Sequence, residues 1–140
     1  MDTEGSVREA VEESAQTVLP GYDVVAAYLY GSYARGEEHS DSDVDIAVYF
    51  RDYSLDKLLE VGRRLQEEAD VGREVDVRSL NGADLVFQRN VLKDAELLYE
   101  KDPEARARFE RSVYNRYLDM KPYIQQYYGK RRERISGAVA

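Results

Sequence analysis

Two short apolar runs, Val24–Tyr30 and Val44–Phe50, constrain this chain more than any other feature. Both are rich in β-branched and aromatic residues. Apolar side chains on successive positions fill both sides of a strand, so each run reads as a strand covered on both faces. The first run stops at Gly31-Ser32, and the second starts directly after Ser42-Asp43. The polar stretch between them is where the backbone must turn.

The remaining elements follow from local signals. Ser6 and Glu9 form a capping box, which predicts a helix from about Val7 to just before Pro20-Gly21. A short helical turn is expected within 33–42. Ser54 caps another helix, on which Leu55, Leu58, Leu59 and Leu65 recur at helical spacing, and it stops before Gly72. Glu74 to Leu80 alternates, with Val75 and Val77 on one face and Glu74, Asp76 and Arg78 on the other; Asn81-Gly82 breaks it. A helix over 83–92 and a short edge strand over 95–99 follow. Asp102-Pro103 opens a last, long helix. Its stripe is Phe109, Val113, Tyr117, Met120, Ile124 and Tyr127, with Tyr117 and Tyr127 packing on the sheet and a kink at Pro122. The order predicts an α/β fold: a small mixed sheet with helices packed on one side and a long C-terminal helix. A single domain is expected over 1–140, with a core over about 1–101 and a helix and tail over about 102–140.

Composition narrows the function. With 140 residues and 43% apolar content the chain can bury a core of its own. It has no cysteine, so disulfides and thiolate metal sites are excluded. No apolar run approaches the roughly 20 residues of a bilayer span. Met1-Asp2-Thr3-Glu4 is too acidic for a signal peptide, and a cytoplasmic protein is expected. The net charge of −8 argues against a nucleic-acid-binding surface and opposes a bare nucleoside triphosphate. Any nucleotide site therefore needs help from cations. The basic cluster Lys130-Arg131-Arg132-Glu133-Arg134 reads either as a solvated tail or as a docking segment for an acidic partner.

The turn at Gly31-Ser32-Tyr33-Ala34-Arg35-Gly36 has the makings of a phosphate grip. Gly31 permits backbone torsions closed to other residues and a close approach to a ligand. Ser32 offers an N–H and a hydroxyl, and the free N–H groups of a helical turn attract anions. Arg35 can hold a phosphate or a carboxylate in bidentate fashion. A tight turn with Arg35 in a structural ion pair is the plainer alternative.

Asp43 and Asp45 stand two residues apart on a strand, hence on one face, roughly 6.5–7 Å along it. Unpaired carboxylates at the start of a buried strand are costly, and a divalent cation removes the cost. Oxygen-only donors suit Mg²⁺ or Mn²⁺. Asp41, Asp43 and Asp45 also mimic the start of a Ca²⁺ loop, but Ile46 stands where that loop requires glycine. Asp41 reads instead as a turn residue or an outer neighbour of the pair. A third carboxylate should come from an adjacent strand: Asp76 is the best placed, with Glu74 as the fallback. His39 reads as a surface loop residue.

Gly31-Ser32 followed by Ser42-Asp43-Val44-Asp45 resembles the signature of the nucleotidyltransferase superfamily. The chain is similar to its minimal, MNT-type branch, often encoded beside a HEPN-domain toxin. The resemblance implies a palm-like core and ATP as substrate. It implies Mg²⁺ (or Mn²⁺) on Asp43, Asp45 and Asp76 as metal-binding catalytic residues. It also implies phosphate binding at Gly31, Ser32 and, less directly, Arg35. Under it, a hydroxyl attacks the α-phosphorus of ATP and pyrophosphate leaves. The implied acceptor is a tyrosine of a HEPN toxin, silenced by AMP transfer, which makes the chain an antitoxin. A non-catalytic antitoxin acting by binding alone, or an enzyme for a small-molecule acceptor, are the alternatives. The crowding of Tyr114, Tyr117, Tyr123, Tyr127 and Tyr128 on one helix fits a docking role.

Overall fold

Strands β1 (Val24–Tyr30) and β2 (Val44–Phe50) occupy the two apolar runs and pair antiparallel in the computed structural model. The structure describes the backbone of residues 3–39 and 42–139, and side chains over 6–39 and 42–129. Strand β3 (Val75–Ser79) joins β2 in parallel, and β4 (Glu96–Glu100) joins β1 antiparallel. The sheet order is β3-β2-β1-β4, so it is mixed, with β1 and β2 inside and β3 and β4 at its edges. This is the small mixed sheet the sequence predicts.

The helices are α1 (Thr3–Val18), α2 (Ser32–Arg35), α3 (Leu55–Ala69), α4 (Leu85–Asp94) and α5 (Pro103–Val139). They cover both faces of the sheet, not one as the sequence order suggests. Val7 and Val11 of α1 and Val61 and Leu65 of α3 pack with Ala27, Leu29, Ile46 and Val48 on one side. Val91 of α4 and Phe109 and Val113 of α5 pack with Ala26, Tyr28 and Ala47 on the other. The burial of β1 at six successive positions requires this, because adjacent side chains point to opposite faces.

Local signals set most of the ends. The Ser54 hydroxyl accepts the Lys57 N–H at the start of α3, and Asp102 accepts the Ala105 N–H at the start of α5. Helix α1 begins a turn before the Ser6–Glu9 box, at Thr3. A 3₁₀ turn over Leu19–Tyr22 takes up Pro20-Gly21. On α3 the buried stripe is Val61, Leu65 and Ala69, whereas Leu55 and Leu59 face solvent.

Helix α5 departs from its predicted stripe. Phe109 and Val113 are buried, and Phe109 stacks on Tyr49 with ring centroids 3.9 Å apart and planes at 17°. Tyr117 is half-buried, with the Arg89 guanidinium 4.9 Å from its ring centroid. Beyond it Met120 is exposed and Tyr127, expected on the sheet, is 59% exposed. The helix continues through Pro122, and most of its described side chains from Leu118 to Tyr128 are exposed. The Lys130–Arg134 cluster lies outside the described side chains.

Phe109→Ala should therefore cost about 3–5 kcal/mol of stability, as large-to-small core changes do. Tyr127→Ala should stay within about 0.5 kcal/mol of wild type. Denaturant unfolding of both variants checks this; a large loss for Tyr127→Ala would mean that the distal helix is part of the core.

Candidate active site

The acidic residues are assembled by strand register. Asp45 on β2 lies directly opposite Asp76 on β3, and Tyr30 on β1 is the antiparallel partner of Asp45. Paired residues on adjacent strands share a face, so Tyr30, Asp45 and Asp76 form a row across one end of the sheet. Ala47 and Tyr49 follow Asp45 on that face and pack under α4 and α5, so the row belongs to the α4/α5 side. Asp43, two residues before Asp45, is exposed at the mouth of the row. The sheet thus sets Asp76 beside Asp45, with Asp43 two residues before Asp45 along the chain.

The cluster is electrostatically strained. Asp45 is half-buried, and its pKa is raised, first by burial and then by the charges of Asp76 and Asp43; Arg78 and Arg35 oppose the rise. The Tyr30 hydroxyl is pushed up to about 12, by burial and by the facing Asp45. Among the described residues no three acidic or histidine side chains already close into a cage around an ion. The Asp76 carboxylate leans instead on the Arg78 guanidinium, Nε to Oδ2 3.2 Å. A hard cation nonetheless fits the donors, which are all carboxylate oxygens with unbalanced negative charge.

The turn after β1 lies against this cluster. Gly31 adopts φ +75°, and a Cβ there would collide with an Asp45 carboxylate oxygen. Glycine is therefore required both for torsion and for room. Ser32 opens the single turn of α2, which the Arg35 N–H closes by donating to the Gly31 carbonyl at 3.2 Å. Arg35 donates to Glu37 at 3.0 Å, which is the ion pair weighed as its plainer role, and it also acts on Asp45 through its charge. Glu74 is exposed, and its backbone carbonyl takes the Val44 N–H. His39 is exposed in the loop, and Asp41 lies outside the described residues.

Several supporting residues carry no obvious sequence signal. The buried Ser42 hydroxyl accepts the His39 N–H, and its own N–H donates to the His39 carbonyl, closing the loop just before β2. Arg73 donates to the hydroxyl of the buried Tyr33 at 2.7 Å, and Arg8 donates to the Tyr33 carbonyl and pairs with Glu38. These contacts tie α2 to α1 and to the approach to β3. Arg78 could have been singled out, because it lies two residues past Asp76 on a strand and so shares its face.

The raised Asp45 pKa has a definite consequence for stability. A folded pKa above the unfolded value means that stability is fully present below the unfolded pKa and is lost as pH rises through the folded one. Ionised Asp45 therefore works against folding at neutral pH when no cation is bound. Metal-free Asp45→Asn should melt at the wild-type temperature or up to a few degrees (~3 °C) higher at pH 7. The difference should vanish below about pH 4, near the unfolded carboxyl pKa. A clearly lower melting temperature at pH 7 would mean that the carboxylates do not repel.

The chain is similar to known proteins in sequence and in fold. The family described as Polymerase beta, Nucleotidyltransferase matches residues 13–104. MJ0435 of Methanocaldococcus jannaschii, a candidate protein adenylyltransferase, is 35% identical over 79 residues, 56% of this chain and 83% of that protein. The protein adenylyltransferase MntA of Shewanella oneidensis is 35% identical over 74 residues, 51% of either chain. A toxin–antitoxin crystal structure with AMP-PNP shares the fold at TM-score 0.66 and 23% identity, over 92% of this chain and 98% of that one. So does the MNT antitoxin complex of a tri-AMPylated Shewanella oneidensis HEPN toxin, at TM-score 0.63 and 20% identity, over 95% and 99%. With the family match running from α1 through β4, and the acidic row and the glycine turn inside it, the chain belongs to the nucleotidyltransferase family.

Proposed function

We propose that this enzyme transfers AMP from ATP to a hydroxyl of a HEPN-domain toxin, with Mg²⁺ (or Mn²⁺) as cofactor, and so acts as its antitoxin. The observation that carries the reading is the Asp45–Asp76 register beside Asp43, set against the Gly31-Ser32 turn. The partner and the nucleotide are supported by the relatives: one shares this fold in a toxin–antitoxin structure with AMP-PNP, another in a complex with an AMPylated HEPN toxin. Tyrosine as acceptor is the finer part of the proposal. We read the chain as a single domain acting in the cytoplasm, and no described helix is long and apolar enough to cross a membrane.

In this reading Asp43, Asp45 and Asp76 are the metal-holding residues. A bound cation would offset the triphosphate charge and lower the pKa of the acceptor hydroxyl. The Ser32 N–H and hydroxyl receive phosphate oxygens, with Arg35 adding charge from the end of the turn. Gly31 lets the backbone of the turn lie against Asp45, which sets the Ser32 turn beside the carboxylates. The acceptor oxygen bonds to the α-phosphorus while the bond from that phosphorus to the bridging oxygen breaks, and pyrophosphate leaves. The acceptor proton passes to the Asp76 carboxylate and then to solvent. Most of the acceleration comes from positioning and charge neutralisation. The partner has a surface to dock on, because Tyr114, Leu118, Met120, Tyr123, Tyr127 and Tyr128 are exposed along α5.

Incubation with a HEPN-domain partner from the same genome, Mg²⁺ and each NTP, followed by intact-mass measurement, tests this. The partner should gain one or more AMP units from ATP. Asp43→Asn and Asp45→Asn should each lower the rate about 100-fold or more. Asp76→Asn should stop transfer while nucleotide still binds. Silencing of the partner without a mass change would favour action by binding alone, and labelling of a small molecule or an RNA end would overturn the acceptor.

A further inference from the structure

Arg78 has no part in the scheme above, yet it makes a polar contact with the acidic row. Its Nε donates to Asp76 Oδ2 at 3.2 Å. Its guanidinium lies 5.9 Å from the Phe87 ring centroid, and Phe87 stands edge-on to Tyr30 at 5.9 Å. The group is thus placed by α4 and β1 as well as by its own strand. Its charge also acts on Tyr30, Asp76 and Asp45 together. A strand that sets Arg two residues after Asp puts both on one face, so the contact follows from the sequence Asp76-Val77-Arg78 once β3 forms. A guanidinium cannot lose its proton at working pH, and it can leave the carboxylate only by moving away.

We propose that Arg78 is a built-in counter-ion that holds Asp76 in the metal-free protein and must be displaced before Asp76 can bind a divalent cation. The proposal rests on the reading of Asp76 as a metal ligand. Arg78 is then a positioning residue. It lowers the repulsion that Asp45 and Asp76 exert on each other in the empty site. It also withholds the third carboxylate until a cation competes for it. The acceptor side of the site is complete only once Arg78 has moved, which ties readiness for transfer to loading with metal.

Titration with Mn²⁺ alone, followed by electron paramagnetic resonance of the free ion, tests this on the full chain. Arg78→Gln should tighten Mn²⁺ binding about two- to fivefold, the range that an exposed ion pair supports. It should also lower the melting temperature of the metal-free protein. Arg78→Lys, which keeps a cation, should stay near wild type in both. Arg35→Gln removes an equal charge that acts on Asp45 without touching Asp76, and it should tighten binding less. In an Asp76→Asn background Arg78→Gln should tighten binding no more than Arg35→Gln does, because only its charge on Asp45 is left to act. Equal effects of Arg78→Gln and Arg35→Gln in the wild-type background, an undiminished effect of Arg78→Gln with Asp76→Asn, or weaker Mn²⁺ binding in Arg78→Gln would each overturn the proposal. Failure of the underlying reading shows separately: Asp76→Asn alone would then leave Mn²⁺ affinity unchanged.

Discussion

Two carboxylates set side by side by strand register are the feature around which this structure is organised. Parallel pairing of β2 with β3 places Asp76 opposite Asp45, and neighbouring strands lie only about 4.8 Å apart. Asp43 adds a third charge at the mouth. Such a cluster opposes folding unless something holds it in place, and here the rest of the sheet does. Val44, Ile46 and Val48 alternate with Asp45 and are fully buried between β1 and the helices of the other face. A slip of one residue in β2 would turn Asp45 into the apolar core under α1 and α3, so the register is strongly fixed. The same apolar packing that stabilises the fold therefore fixes the position of the acidic row.

The turn after β1 is shaped by the same cluster. Gly31 passes so close to the Asp45 carboxylate that no side chain fits, and its positive φ aims the next residues into the single turn of α2. The Ser32 turn and the acidic residues are thereby held next to each other. That is a poor arrangement for an empty protein and a good one for a nucleotide carrying its cation. Arg73 and Arg8, through Tyr33, keep the turn from drifting.

Much of this was legible in the sequence because it depends on short-range patterns. The two central strands follow from continuous apolar runs, and their observed ends coincide with the predicted ones. The face shared by Asp43 and Asp45 follows from the period of a strand. The pairing of Asp76 with Asp45 is beyond what strand period alone can establish, since register between distant segments depends on tertiary packing. The placing of helices on one side failed for a similar reason. Local periodicity says that a helix has an apolar stripe, not which face of the sheet receives it. On α5 the apolar stripe of the sequence runs through Met120 and Tyr127, yet both are exposed. Sequence alone cannot tell a core-facing tyrosine from one left exposed. Ser42 and Arg78 were visible as residues, but their contacts were not.

The most direct measurement is a crystal of the protein grown with Mn²⁺ and AMP-PNP, with anomalous scattering collected at the manganese edge. The expected result is an anomalous peak ligated by both Asp43 and Asp45, with the α-phosphate beside it and the other phosphates against the Ser32 turn. A peak bound elsewhere, or nucleotide seated at the turn with no metal at either aspartate, would contradict it.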